Sequence, residues 1–317
     1  MAARYGVRIW LALVTVYIVW GSTFVALAIV IRDLPPFLAM SIRHLVAGAV
    51  LLAFALPRGD RRGDRIGRKQ VGAAFVFGGL LFVTGHGLLA WSQQTVPAGV
   101  AALLVGTIPI WMAVFDRVAF GKRLPAIAYL GIAIGFVGLA FLFDPFGSGS
   151  IDRLAALVIV FSAMCWAIGS IYSRTAPLPS RPLVSAGLAS LCGGILLSVY
   201  SAVSGEIGEA TWTSDALLSL GYLIVVGSFV GFTAYVWLLR VAPLSLVSTY
   251  AYVNPIVAVA LGWLILDETV TTQMLVAGAA VVVSVAVILR ASSASLDPGR
   301  GLFTRKEPVA AVAEPTA

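Results

Sequence analysis

The sequence predicts an all-α integral membrane protein of about ten transmembrane helices, arranged as two five-helix inverted repeats with both termini in the cytoplasm. Three observations lead to this fold class: the scarcity of charge, the spacing of the apolar runs, and an internal match between the two halves. Of the 317 residues, 60% are hydrophobic and 11% are charged, and the mean hydropathy is +1.00. Since soluble domains carry about 25% charged residues, most of this apolar surface must face lipid.

Ten apolar runs are long enough to form membrane-spanning helices, which need about 20 residues each to cross about 30 Å of hydrocarbon. Long runs without polar alternation favour helices over a barrel, because backbone groups in lipid must be hydrogen bonded within the chain. The segment Ala26-Leu27-Ala28 has the residues of a signal-peptide cleavage site, but the nine spans that follow favour an uncleaved first helix. The runs cover roughly residues 9–29, 36–56, 71–91, 97–116, 124–143, 153–173, 182–203, 214–238, 243–265 and 270–290.

The positions of Lys and Arg predict the orientation of the chain. Eighteen of the 21 basic residues lie in alternate loops and near the two ends of the chain, whereas Arg32 and Arg153 lie in the opposite loops and Arg43 lies within a span. Under the positive-inside rule, the side with 18 basic residues is cytoplasmic. Because these residues lie between spans rather than on one face, the net charge of +7 does not indicate nucleic-acid binding.

The two halves of the chain match when the sequence is shifted by 146 residues without gaps. The predicted repeats are residues 7–143 and 152–290, followed by a disordered cytoplasmic tail at 291–317. Five spans per half is an odd number, so the second half enters the membrane in the opposite orientation, as in many secondary transporters. The aligned Trp and Pro pairs are Trp20 with Trp166, Trp91 with Trp237, Pro36 with Pro182, Pro97 with Pro243, and Pro109 with Pro255.

Four groups of residues recur in the order and spacing of a known family: Tyr17–Phe24, Pro35-Pro36 followed by Arg43, Val96–Gly99 with Pro109, and Ser248–Ala258 closed by Asp267-Glu268. In this order and spacing they resemble the EamA family of the drug/metabolite transporter superfamily, and most closely its YedA-like branch. The resemblance implies a ten-helix inner-membrane carrier that exports amino acids, other metabolites or drugs. One departure is Gly121-Lys122-Arg123 after the fourth span, where family members often carry a Glu; Glu268 keeps that feature in the second half.

Arg43 is the leading candidate for a substrate contact. It lies seven residues after Pro36, or about 10 Å into the membrane, where a charge costs about 2–4 kcal/mol unless it is paired. It either faces a central cavity, where it would attract an acidic group of the substrate, or extends along the helix to reach the interface or backbone carbonyls.

Pro109 and Pro255 occupy equivalent positions in the fourth and ninth spans. Each removes one helical hydrogen bond and frees the carbonyl of the residue four positions earlier, so both predict a hinge or gate that faces the protein interior. Asn254, next to Pro255, offers a donor and an acceptor to a substrate. The alternative is a pair of kinks tolerated for packing.

The other cavity candidates are aromatic or polar residues at helical spacing. Each has a competing structural interpretation: Ser162 and Trp166 could serve helix packing, and a lone membrane histidine is often a hydrogen-bonded structural residue. The candidates are Trp20 and Tyr17 in the first span, His86 in the third, Ser162 and Trp166 in the sixth, and Tyr250 in the ninth.

These features predict a secondary-active transporter of small organic metabolites, located in the inner membrane and acting as a monomer or homodimer. A channel-like or uniport facilitator is the main alternative. The sequence contains no HExxH, GxSxG or P-loop motif and no paired intramembrane carboxylates, so we expect no enzyme activity, cofactor or metal site. Cys165 and Cys192 lie in apolar runs without further metal-ligand residues, and we expect both to be buried thiols.

Overall fold

A computed structural model describes residues 6–58, 66–121, 125–142, 152–242, 244–247 and 249–294, and within these ranges the chain is helical with no β-strand. The helices form ten segments, labelled α1 to α10 in chain order, each within one of the apolar runs or close to it. Their bounds are α1 Val7–Val30, α2 Pro36–Ala55, α3 Arg68–Ser92, α4 Ala98–Val105 and Ile108–Phe120, α5 Ala126–Leu142, α6 Arg153–Tyr172, α7 Pro182–Val203, α8 Ser214–Tyr222, Leu223–Val230 and Gly231–Val241, α9 Leu244–Val247 and Tyr250–Leu266, and α10 Thr272–Ala294.

Seven of the described segments, α1 to α4 and α6 to α8, are long and apolar enough to cross a membrane. The remaining three contain shorter apolar helices, Ala126–Leu142, Tyr250–Leu266 and Thr272–Ile288. The chain is thus an all-α protein with several membrane-spanning helices, as the sequence predicts. Lys122, Arg123 and residues 295–317 of the predicted tail lie outside the described residues.

Proline or a polar cap marks the start of several helices. Pro36 and Pro182, which are 146 residues apart, lie in the first turns of α2 and α7. An N–H at this position has no acceptor within the helix, so proline, which lacks it, costs no hydrogen bond there. Asp152 begins α6 by accepting a hydrogen bond from the Ala155 amide at 3.1 Å. Thr213 begins α8 in the same way. Asp152 and Thr213 fix the starts of their helices because they satisfy amides that the first turn leaves free.

Helices α2 and α7 form the most extensive helix pair and run antiparallel. A Cβ at Gly48 would lie 2.6 Å from the Leu191 nitrogen, and a Cβ at Gly194 would lie 2.8 Å from the Leu45 nitrogen. Residues 45 and 191 are 146 apart, as are 48 and 194. The 146-residue offset between the halves therefore converts each of these two contacts into the other. Glycine is needed here because helices in lipid associate through close backbone approach.

The same exchange relates contacts between α5 and α10, which also run antiparallel. A Cβ at Gly131 would lie 3.1 Å from the Ser284 carbonyl oxygen, and a Cβ at Gly138 would lie 3.2 Å from that of Ala277. Residues 131 and 277 are 146 apart, as are 138 and 284. The offset found in the sequence therefore also relates helix contacts in the folded chain.

Two tryptophans make a third exchanged pair of contacts. The Trp20 ring of α1 packs on Gly231 of α8, where a Cβ would lie 2.6 Å from the indole nitrogen. The Trp166 ring of α6 packs on Gly85 of α3, where a Cβ would lie 2.8 Å from the ring. In each case glycine makes room for an indole between two helices.

Both α3 and α8 contain a π-helical stretch, at Gly79–Gly87 and Leu223–Val230. Under the 146-residue offset the first stretch corresponds to 225–233, so the two overlap. A π-helix shifts backbone hydrogen bonds from the fourth to the fifth residue and is often found at functional sites. These two stretches carry side chains of the candidate site described below.

The loops at one end of the bundle are joined by hydrogen bonds between the two halves. At this end, called the α1–α2 end, α1, α3, α5, α7 and α9 finish. Asp33 accepts from the Thr213 hydroxyl at 2.6 Å, and Asp152 accepts from the Thr95 hydroxyl at 3.1 Å. An open pocket of about 360 Å³ also lies at this end, lined in part by Arg32, Asp33, Phe37, Trp91, Tyr200 and Glu206.

Candidate functional site

Arg43 lies within α2 and is only 8% exposed. Its Nε donates to the Ser228 hydroxyl oxygen of α8 at 3.4 Å, and its Nη2 is 3.5 Å from the place of a Cβ on Gly227. No Asp or Glu among the described residues forms an ion pair with it. A single long hydrogen bond does not offset the desolvation cost of a buried cation. An anionic group that binds to Arg43 would lower that cost.

Ser228 was not among the residues singled out by the sequence. Its hydroxyl donates to the Leu223 carbonyl oxygen five residues earlier, at 3.1 Å. A hydroxyl has one proton, so the Ser228 oxygen is left to accept from Arg43. The sequence shows a small Gly-Ser pair in an apolar run, but only the π-helical stretch of α8 determines that this pair faces α2.

His44 and His86 form a buried hydrogen-bonded pair beside Arg43. Ser190 of α7 donates its proton to the His44 carbonyl oxygen at 3.1 Å, so the Ser190 oxygen accepts from His44 Nδ1, also at 3.1 Å. The remaining nitrogen of a neutral His44 is an acceptor, so His86 Nδ1 donates to His44 Nε2 at 2.9 Å. With both rings neutral, this assignment gives His86 a free acceptor, Nε2. We call Arg43, His44, His86, Ser190 and Ser228 the polar cluster.

Trp166 and Ser162 of α6 both contact α3. The Trp166 ring centroid lies 5.1 Å from that of His86. Ser162, one turn earlier, donates to the Gly85 carbonyl oxygen at 2.7 Å. Trp166 therefore borders the polar cluster, whereas the Ser162 proton is used in a hydrogen bond between helices.

Trp20, Tyr235 and Tyr250 form a second group, called the aromatic cluster. Their ring centroids lie 5.0 to 5.7 Å apart, and two of the three pairs meet edge to face. Tyr17, one turn before Trp20, hydrogen bonds through its hydroxyl to that of Thr249. The structure thus brings together three aromatic residues chosen from the sequence, and it adds Tyr235, which the sequence did not mark because apolar spans contain many aromatics.

Helix α8 connects the two clusters. Gly227 lies between Arg43 and Thr23, with a Cβ position 3.5 Å from the first side chain and 3.1 Å from the second. Gly231 and Tyr235 follow at intervals of four residues, which places them on the same face of the helix. One face of α8 therefore runs from the guanidinium group of Arg43 to the aromatic rings.

Asn254 lies in α9, 9% exposed, and its side-chain oxygen is buried without a hydrogen-bond partner among the described residues. Its backbone carbonyl faces Gly21 of α1. A buried acceptor left unpaired costs about 1–3 kcal/mol, and a ligand donor would remove this cost. No hydrogen bond among the described residues joins Asn254 to Arg43.

The two predicted hinge prolines differ in their surroundings. Helix α4 is interrupted at Gly106-Thr107, and Pro109 lies in the first turn of the part that follows. Pro255 lies inside the longer helix of α9, after an interruption near Thr249. A Cβ on Gly106 would lie 3.1 Å from the Pro255 ring, so the interruption in α4 packs directly against α9.

The chain matches the EamA-like transporter family twice, at residues 8–144 and 153–290. The inner membrane transporter YedA of Escherichia coli K12 is 35% identical over 303 residues, covering 95% of this chain and 94% of that protein. This confirms the resemblance found in the sequence.

More distant relatives agree with this result. The transporter YoaV of Bacillus subtilis is 26% identical, covering 85% of this chain and 92% of its own. The chloroplastic WAT1-related protein At3g02690 of Arabidopsis thaliana is also 26% identical, over 88% of this chain and 69% of its own. A crystal structure with 21% identity superposes with a TM-score of 0.62 over 90% of this chain, which shows a shared fold. The chain therefore belongs to the EamA-like transporter family of the drug/metabolite transporter superfamily and is a multi-pass transporter of the inner membrane.

Proposed function

We propose that the protein is a secondary-active transporter that exports small organic metabolites bearing an acidic group, such as amino acids or related compounds. The buried Arg43 guanidinium, which has no carboxylate partner among the described residues, carries this proposal. An anionic group that reaches it would form a charge-assisted hydrogen bond, the strongest kind available inside a membrane protein. A substrate carboxylate supplies such a group.

The remainder of the substrate would lie along α8 toward the aromatic cluster. Trp20, Tyr235 and Tyr250 offer ring faces for an apolar or aromatic portion, and their hydroxyl and indole groups offer polar contacts. The His86 Nε2 acceptor and the unpaired Asn254 oxygen are available to substrate donors. This combination fits a metabolite that carries an acid, at least one donor and an apolar part.

We propose that all ten segments cross the membrane, as two inverted repeats that alternate in access around this site, with both termini cytoplasmic. The antiparallel pairs α2–α7 and α5–α10, whose contacts exchange under the 146-residue offset, support inverted repeats. The distribution of basic residues supports the orientation. The 17-residue helices in α5 and α9 can span through local thinning of the bilayer.

Metabolite profiling followed by reconstitution tests the proposal. Medium and cells are profiled with and without the gene, and the acids that depend on it are then assayed for flux into proteoliposomes. We expect saturable, Arg43-dependent flux of one or more acids. Arg43→Ala should lower it about 30-fold or more, because a buried charge pair is lost, whereas Arg43→Lys should retain part of it. Arg32→Ala, at an exposed arginine of the α1–α2 end, is the matched control.

Two results would count against the proposal. Wild-type flux in Arg43→Ala protein that reaches the membrane would remove Arg43 from the site. Non-saturating flux accompanied by single-channel currents would instead favour a channel.

A further inference from the structure

Glu268 joins the two halves of the protein at the α1–α2 end. It lies two residues after the end of α9 at Leu266, and its carboxylate accepts hydrogen bonds from the backbone amides of Ala98 at 2.5 Å and Gly99 at 3.0 Å. These amides belong to the first turn of α4, in the other half of the chain. The carboxylate thus satisfies two amides that the helix leaves free and faces the positive end of its dipole.

The chain around Glu268 is built to hold the carboxylate in this place. Asp267 has a left-handed backbone with φ of 55°, a strained conformation for a residue other than glycine. This turn directs Glu268 back over Gly262, where a Cβ would lie 2.5 Å from the carboxylate oxygen. Local strain and a glycine therefore both serve the contact with α4.

The helix that Glu268 holds fills the space between the halves at this end. In the eight-residue part Ala98–Val105, all residues except Val105 are buried. A Cβ at Gly99 would lie 2.4 Å from the Met274 side chain of α10 and 3.2 Å from Val259 of α9. The C-terminal end of this eight-residue helix contacts Pro255 at the Gly106 interruption. This short helix is distinct from the rest of α4, because the helix is interrupted at Gly106-Thr107 immediately after it.

We propose that Glu268 is a latch that holds the Ala98–Val105 helix in place and keeps the outer side of the carrier closed. This inference rests on the proposed function, which assigns the α1–α2 end to the outer side. Opening toward the outside requires α4 and α9 to separate there, and the Glu268 bonds must break for that to happen. The carrier then rests closed to the outside and takes up its substrate from the cytoplasm.

The other half has no equivalent carboxylate. The counterpart of Glu268 under the 146-residue offset is Lys122, and an ammonium group cannot accept hydrogen bonds from a helix N-terminus. The latch chemistry therefore belongs to one side of the membrane. This asymmetry favours the outward-closed state and is consistent with loading from the cytoplasm.

Glu206 provides a matched control because it makes the same kind of contact at the same end. Glu206 is 9% exposed, and its carboxylate accepts from the amides of Leu38 at 2.8 Å and Phe37 at 3.4 Å at the start of α2. However, α2 is held to α7 along its length by the Gly48 and Gly194 contacts. Loss of the Glu206 cap should therefore lower stability without opening the outer side.

Spin-label distances measure the opening directly and need no substrate. Labels are placed at the exposed positions Gln94→Cys and Thr272→Cys, with Cys165 and Cys192 replaced by alanine, in purified full-length protein in lipid. The protein with native Glu268 should give a short distance between the labels. Glu268→Ala should increase the longer-distance population about tenfold or more, because charge-assisted hydrogen bonds are lost. Gly262→Ala, which displaces the carboxylate without removing it, should act in the same direction.

Three comparisons decide the result. Glu268→Gln keeps one acceptor oxygen and should give an intermediate distribution, and it carries the test if Glu268→Ala does not fold. Unchanged distances in Glu268→Gln and Gly262→Ala would overturn the latch, as would an equal opening in Glu206→Ala. An absence of solute transport would count against the proposed function alone, since these distances are recorded without solute.

Discussion

The two halves of the molecule use the same positions for packing and different residues for polar contacts. Glycine and tryptophan recur where helices of the two halves approach closely, so the contact of Trp20 with Gly231 is repeated by the contact of Trp166 with Gly85. Five other residues of the candidate site do not recur. The counterparts of Arg43, His86, Ser228, Tyr250 and Asn254 are Ala189, Phe232, Phe82, Leu104 and Ile108.

This difference separates two requirements of a transporter. Close packing between helices must be similar in both halves if the two are to move in equivalent ways around a common centre. A bound molecule has no such symmetry, so its contacts must differ between the halves. The first half contributes basic and imidazole groups, and the second contributes phenol, hydroxyl and amide groups.

The largest effect is expected at the shared packing positions. Gly48→Leu and its counterpart Gly194→Leu each force a side chain into the backbone of the facing helix, at a cost of about 3 kcal/mol or more. Both variants should lose most of their folded protein, measured as yield and thermal transition in detergent. Gly221→Leu, where a Cβ meets nothing within 4 Å, should behave as wild type. Unequal losses in the two helix-contact variants would contradict their equivalence.

A smaller effect is expected where a polar residue is exchanged for its counterpart. His86→Phe places in α3 the residue that α8 has at the equivalent position and keeps a ring against Trp166. It leaves His44 Nε2 without a donor, at a cost of about 1–3 kcal/mol. We expect a lower melting temperature and reduced flux of the acids that depend on Arg43. Full flux would show that substrate does not use the His86 acceptor.

The two equivalent tryptophans should differ in their effect on transport. Trp20→Phe alters the aromatic cluster, and the loss of indole contacts should reduce flux about two- to tenfold. Trp166→Phe alters a packing contact with Gly85 and should act mainly on thermal stability. Equal flux in the two variants would mean that the aromatic cluster does not contact substrate.

The smallest effect is expected at Asp152, at the start of the second half. The Ala155 amide, and then the Thr95 hydroxyl, hold the pKa of this exposed carboxyl below its usual value. The ionised form therefore adds stability above the ordinary pKa of an aspartate, and this is lost as pH falls through the lowered value. In Asp152→Asn the melting temperature should decline less between about pH 7 and about pH 3. An identical decline in the variant and wild type would contradict this assignment.

The sequence predicts the helices and their packing contacts better than it predicts the partners of the side chains in the candidate site. Tryptophan, proline and glycine are sparse enough for one offset to align them, and their spacing reports helix contacts. Arg43 and Ser228 are 185 positions apart, Glu268 and Ala98 of α4 are 170 apart, and His44 and Ser190 are 146 apart. Such pairs depend on helix rotation and on the π-helical stretches, which apolar composition does not specify.

The hydrogen bond between His44 and Ser190 joins two positions that are each other's counterparts, 146 residues apart. In an assembly of two identical single-repeat chains, a residue at that position would face its own copy, and histidine would meet histidine or serine would meet serine. Fusion of the repeats into one chain removes that constraint. An imidazole donor can then stand opposite a hydroxyl acceptor, and the resulting tautomer fixes His86 in turn. Departure from symmetry at this one contact is thus what a duplicated gene makes available and a homodimer does not.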